Sequence, residues 1–182
     1  MTSSQNIYEC NEYQRQPEGV KYLFLSEGHI EIIKVVEYAY IGIKQNRLTY
    51  NFGFGTLKED GTVQDDDISD NGDTYKVFNT VLSTVPDFLH NYPGAMIMVE
   101  GSDSSVAYEE ACRPKCKKKC IAPACKNAHR RINIYKNFVN KHFGQLSKEY
   151  VFWGGLKDTD SQIVIENYTI PNKYDAVFFI KK

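Results

Sequence analysis

The sequence predicts an α+β fold, a mainly antiparallel sheet of about six strands carrying two principal helices. Three observations predict it. Short runs alternate apolar with polar residues and are bounded by turn residues, as half-buried strands are. Early strands follow one another through short connections, which makes an antiparallel meander. Two longer stretches repeat apolar residues at helical spacing. The chain has 182 residues, enough for one domain with a substantial core.

Residues 1–18 are polar and read as an N-terminal segment, frayed or at a sheet edge. A single domain is expected over residues 19–182. Val20, Tyr22 and Phe24 alternate with Lys21 and Leu23 in a first strand. After the turn at Ser26-Glu27-Gly28, residues 29–43 are β-branched, aromatic and nearly apolar on both faces, so a central strand is expected there. Gln45-Asn46 makes the next turn. Leu48, Tyr50, Phe52 and Phe54 then alternate with Arg47, Thr49, Asn51 and Gly53 in a half-buried strand.

Residues 58–73 carry seven acids against one lysine. Asp66, Asp67 and Asp73 are candidates for a divalent ion or for acid–base chemistry. The spacing does not match a calcium-binding loop. The plainer reading is a solvated loop whose last acids cap the following helix, with Asp73 or Asn71 near the N-cap. That helix shows Val77, Val81, Val85 and Phe88 at helical spacing, and Pro86 is expected to kink it or end its regular part. Asn91-Tyr92-Pro93-Gly94 stops it. Ala95–Glu100 reads as a buried strand ending at Gly101-Ser102-Asp103.

Four of the five cysteines fall between residues 112 and 125, as C-x3-C-x3-C-x4-C. In one unbroken helix Cys112 and Cys120 would stand about 12 Å apart along the axis. Thiolates on one zinc each lie about 2.3 Å from the metal. The chain therefore has to turn between them, and Pro114 and Pro123 favour such a break. The expectation is a Cys-rich helical hairpin over residues 104–128, with Cys112, Cys116, Cys120 and Cys125 holding a structural Zn²⁺. His129 is an alternative to one thiolate. Nested disulfides pairing 112 with 125 and 116 with 120, free thiols, and an iron–sulfur cluster are the other readings. Cys10 stands alone as a free thiol.

Arg113, Lys115, Lys117, Lys118, Lys119, Lys126, Arg130 and Arg131 accompany the cysteines, with no acid between Cys112 and Arg131. They offset the charge of a thiolate-bound zinc, or they form a patch for nucleic acid or another phosphorylated ligand. The net charge is −1, so any such contact has to be local. A strand, Gly101-Ser102-Asp103 and then a helix is also a place where backbone N–H groups and the Ser102 hydroxyl can meet a phosphate. The second helix is expected to resume near Asn127, with Ile132, Tyr135, Val139 and Phe143 as its apolar stripe. Arg130 and Arg131 fall in its first turn, where cations oppose the helix dipole. A strand over Glu149–Trp153 ending at Gly154-Gly155, a short strand over Ile163–Glu166 and a closing strand over Tyr174–Ile180 complete the sheet.

An ordered series of motifs resembles an uncharacterised bacterial family, a domain of unknown function common in Bacteroidota. The motifs are Tyr50-Asn51-Phe52-Gly53-Phe54-Gly55, Asp66-Asp67, Ser69-Asp70-Asn71-Gly72-Asp73, Thr80-Val81-Leu82-Ser83-Thr84-Val85, Gly101-Ser102, Arg130-Arg131-Ile132-Asn133-Ile134-Tyr135 and Lys173-Tyr174-Asp175. The likeness extends over residues 19–180. Thr56 stands where that family has Asp, Asp103 where it has Thr, and the cysteine segment reads as an insertion. The resemblance implies a shared fold and brings no activity with it.

The function expected is a zinc-stapled binding module for nucleic acid or a phosphorylated ligand. A protein-interaction domain with a structural zinc and a divalent-metal phosphoesterase or nuclease are the alternatives. In the last, Ser102 and Arg130 would clamp phosphate. No Ser-His-Asp or Cys-His arrangement is legible. The N-terminus lacks the features of a signal peptide, and no run has the apolar length of a membrane span. A reducing, cytoplasmic setting is expected, which favours metal over disulfides.

Overall fold

A computed structural model of the chain describes residues 6–64, 71–116, 118, 120, 125–158 and 162–182. The chain divides into two compact units, with the boundary between Ala95 and Met96. Both mix strands and helix, so the α+β class holds.

The first unit holds β1 (Cys10–Gln16), β2 (Gly19–Ser26), β3 (Ile32–Lys44), β4 (Arg47–Leu57), β5 (Val63–Gln64) and α1 (Thr74–Asn91). β1 to β4 pair in sequence order, each antiparallel to the next, and β5 pairs with β4. Gln45 and Asn46 have φ of 46° and 60°, and Lys44 pairs with Arg47. Two left-handed residues closing a two-residue hairpin match the right-handed twist of the flanking strands. On the inner face Val20 pairs with Tyr38 and Tyr38 with Phe52. α1 lays Val81, Val85, Phe88 and Leu89 there. The Tyr38 ring stacks on Phe88 at 4.0 Å and on Phe52 at 4.9 Å between centroids. Burying each such ring stabilises by about 2–3 kcal/mol.

α1 runs through Pro86 instead of ending there. A proline in a helix interior costs about 3 kcal/mol. The helix buries residues on both sides of Pro86, so stopping early would expose Phe88 and Leu89.

The second unit holds β6 (Met96–Glu100), α2 (Val106–Cys112), a 3₁₀ turn (Arg113–Lys115), α3 (Arg130–Leu146), β7 (Tyr150–Lys157), β8 (Ile163–Asn167) and β9 (Ala176–Lys181). The order is β6-β9-β7-β8, each pairing antiparallel. Ile132 and Val139 of α3 pack with Phe152, Tyr168, Tyr174 and Val177. Met96, Met98, Ala176, Phe178 and Ile180 form a second cluster. β7 does not end at Gly154-Gly155. A Cβ on Gly154 would stand 2.1 Å from the Tyr174 ring, so the glycine makes room for that ring while the strand runs on.

The expectation of about six strands is too low; nine occur among the described residues. The additions are β1, hidden in a polar segment with few inward side chains, and β5, two residues long at the edge of the acidic loop. Among the described residues there are three α-helices: α1 and α3 are the two principal ones, and α2 falls within the segment expected to be a Cys-rich helical hairpin. α3 starts at Arg130, three residues beyond Asn127.

Candidate functional site

α2 is capped by Ser105, whose hydroxyl accepts from the Tyr108 N–H at 3.1 Å. It delivers Cys112 at its last residue, and the 3₁₀ turn with Pro114 breaks the direction before Cys116. The turn required by the spacing is present. Cys116 Sγ lies 3.3 Å from Cys120 Sγ. The Asn127 amide reaches Cys112 Sγ at 3.3 Å and Cys116 Sγ at 3.7 Å. The Lys126 N–H donates to Cys120 Sγ at 3.2 Å. All four cysteines are free and half-buried.

The sulfurs differ electrostatically. The Lys118 backbone N–H and the Cys120 thiol hold the Cys116 thiol below its ordinary value. On Cys112 the Asn127 amide pulls downward, but desolvation and the neighbouring sulfurs outweigh it. On Cys120 the Lys126 N–H pulls downward, and Cys116 with desolvation outweighs it.

Four thiols in one place are a soft donor set of the kind zinc takes. Sulfurs about 2.3 Å from a tetrahedral zinc lie about 3.8 Å apart, so the 3.3 Å pair is tighter than a loaded site. Among the described residues no group of three or more His, Cys, Asp or Glu is placed to hold a metal ion as it stands. His129 stands apart from the sulfurs in its contacts. Its ring nitrogens lie 4.0 Å from Glu109 and 4.0 Å from Asp175.

The α3 N-terminus is already occupied by a carboxylate of the chain itself. Asp103, 4% exposed, accepts from the Arg130 N–H at 2.9 Å and the Arg131 N–H at 3.1 Å. Its carbonyl accepts from the His129 N–H at 3.1 Å. A buried carboxylate on the orphan N–H groups is the expected partner for the positive helix end. Ser102 accepts a hydrogen bond from the Arg131 guanidinium. Ser104 Oγ is buried and has no hydrogen-bond partner among the described residues. Arg113, Lys115, Lys118, Lys126 and Arg130 are exposed, and among the described residues none has a carboxylate partner. Lys117 and Lys119 lie outside the described residues, as do Asp66, Asp67, Ser69, Asp70 and Pro123.

Two polar sites lie in the first unit; the sequence reading named Asp73 and Asn71 but not the partners that meet them. Lys34, 6% exposed, donates to Thr56 Oγ1, across the β3–β4 pair, at 2.8 Å. Asp73 Oδ2 accepts from Ser26 Oγ at 2.6 Å and Tyr8 O–H at 2.8 Å. Asn71 donates to Ser26 Oγ at 3.1 Å and to the Ile30 carbonyl at 2.9 Å. Asp73 does stand at the N-cap position, but its side chain makes no cap bond; the two hydroxyls take it instead. Desolvation opposes the Asp73 charge, yet the Ser26 and Tyr8 hydrogen bonds and the Lys34 charge leave its carboxyl below the usual value. The available signal was Lys34, a cation at an inward position of an apolar strand.

The other site is a cavity of about 330 Å³ lined by Cys10, Asn11, Glu12, Tyr22, Ser83, Thr84 and Asp87. Tyr22 O–H donates to Asp87 Oδ2 at 2.7 Å, and burial pushes the Cys10 thiol up to about 11.

Fold and sites together define an α+β protein with a cysteine cluster on its second unit and buried polar networks in its first. A family model described as a family of unknown function, DUF6934, matches residues 4–108, more than half of the chain, and the chain belongs to that family. No curated protein and no solved structure matches the chain. The cysteine cluster and α3 lie beyond the matched residues.

Proposed function

We propose that the protein is a binding module in which Cys112, Cys116, Cys120 and Cys125 hold a structural Zn²⁺ and the metal orders a local basic surface for nucleic acid or a phosphorylated ligand. The observation that carries this reading is the gathering of the thiols across the turn after α2, with Cys116 and Cys120 at 3.3 Å. Arg113, Lys115, Lys118, Lys126 and Arg130 support it as exposed cations of the same segment without carboxylate partners among the described residues. The zinc would staple a segment whose α2 buries no residue of its own, and its binding energy would stand in for a core. The ligand would be met by the basic side chains and not by the α3 N–H groups, which Asp103 occupies. Such a site fits a reducing compartment such as the cytoplasm.

Elemental mass spectrometry of protein purified without chelator tests the metal. About one zinc per chain is expected for a four-thiolate site, lost in Cys116→Ser. Metal-free protein with all thiols intact would overturn the reading.

A further inference from the structure

We propose that Cys116 and Cys120 form a peroxide-sensitive dithiol pair that closes as a disulfide, and that closure expels a metal held by the four cysteines. Only the expulsion rests on the metal reading above; the pairing rests on the sulfur positions. Cys116 Sγ and Cys120 Sγ stand 3.3 Å apart. A disulfide needs about 2.05 Å, so the gap is within reach of side-chain rotation. All four thiols are part-exposed, so a small oxidant has access.

The chemistry balances with a peroxide as the oxidant. One sulfur of the pair attacks a peroxide oxygen; the O–O bond breaks, hydroxide leaves and a sulfenic acid forms. The second sulfur attacks the first, an S–S bond forms and the remaining oxygen leaves as water. Two sulfurs lose two electrons, and the peroxide is reduced to two waters. The protons come from the thiols, or from solvent where the sulfurs are thiolates on a metal. Two remaining thiolates make a poor zinc site, because the thiolate is the ligand and the disulfide is not.

The test titrates the full-length protein, purified under reductant without chelator, with hydrogen peroxide. Free thiols, zinc released to a chromogenic chelator and disulfides mapped by mass spectrometry of a non-reducing digest are followed together. The expected result is loss of one thiol pair per equivalent of peroxide. The Cys116–Cys120 linkage forms first, with loss of the bound zinc. In Cys120→Ser the Cys116 sulfenic acid persists and is trapped by dimedone. Linkage of Cys112 to Cys116 or of Cys120 to Cys125, scrambled pairs, or overoxidation without disulfide would overturn the proposal. The Cys116–Cys120 linkage in protein that never held zinc would sustain the redox pair and sink the metal reading. Bound zinc with thiols that resist peroxide would do the reverse.

Discussion

Asp103 shows how one side chain decides what a helix end can do. As sequence, Gly101-Ser102-Asp103 before an arginine helix resembles a phosphate turn. In the fold the carboxylate fills the place of the anion, at 2.9 Å and 3.1 Å from the Arg130 and Arg131 amides. Asp103→Ala is expected to cost about 1–2 kcal/mol, the worth of a strong N-terminal cap, and Asp103→Asn much less, since its amide oxygen still accepts; denaturant melts would read both. Asp73 makes a second residue-scale case. Its carboxyl is lowered in the folded protein. Its contribution is therefore present in full above the unfolded carboxyl value of about 3.9 and is lost as pH falls through the lower folded value. Ser26→Ala removes a hydroxyl that stabilises the charge. It is expected to reduce stability at neutral pH and to shrink the acid-side loss, as followed by thermal melts across the acid range. Neither role was legible beforehand, because Ser26 and Asp73 are 47 residues apart in the chain and no local pattern joins them.

Elements were more legible where periodicity carried them. Val77, Val81, Val85 and Phe88 announce α1, and all four are buried. The same pattern could not say whether Pro86 would stop the helix, since that depends on what Phe88 and Leu89 find beyond it. They find Tyr38, Tyr50 and the inner face of the meander. Phe88→Ala is expected to destabilise by about 3–5 kcal/mol, measured by equilibrium unfolding. A much smaller loss would mean that the ring stack does not hold α1 to the sheet. β1 and β5 show the opposite limit. A polar edge strand and a two-residue strand have too few inward side chains to announce themselves, and only their pairing reveals them.

At the scale of the whole molecule, a net charge of −1 gives no long-range attraction to a polyanion. If the basic segment binds one, the interaction comes from a handful of phosphate contacts and must weaken steeply with salt. Affinity for a single-stranded oligonucleotide is expected to fall on the order of tenfold or more between low and physiological salt, by fluorescence anisotropy. Replacing Arg113, Lys115 and Lys118 with Glu is expected to abolish binding with zinc content unchanged. Salt-independent binding would point away from a phosphate surface. The family match ends at residue 108, before the first of the clustered cysteines, so this surface is a property of residues that the match does not cover.

The sequence alone determined the α+β class, the antiparallel meander, α1, the buried β6 and the need for a turn among the clustered cysteines. Each follows from short-range periodicity or from the reach of a few bonds, which neighbouring residues state by themselves. Tertiary structure decided the rest. It brought Ser26 and Tyr8 to Asp73, set Lys34 under Thr56, seated the Tyr174 ring over Gly154 and closed the α3 amides with Asp103. Those outcomes depend on which distant side chain arrives to satisfy a buried polar group or fill a space, and only the packed chain specifies that.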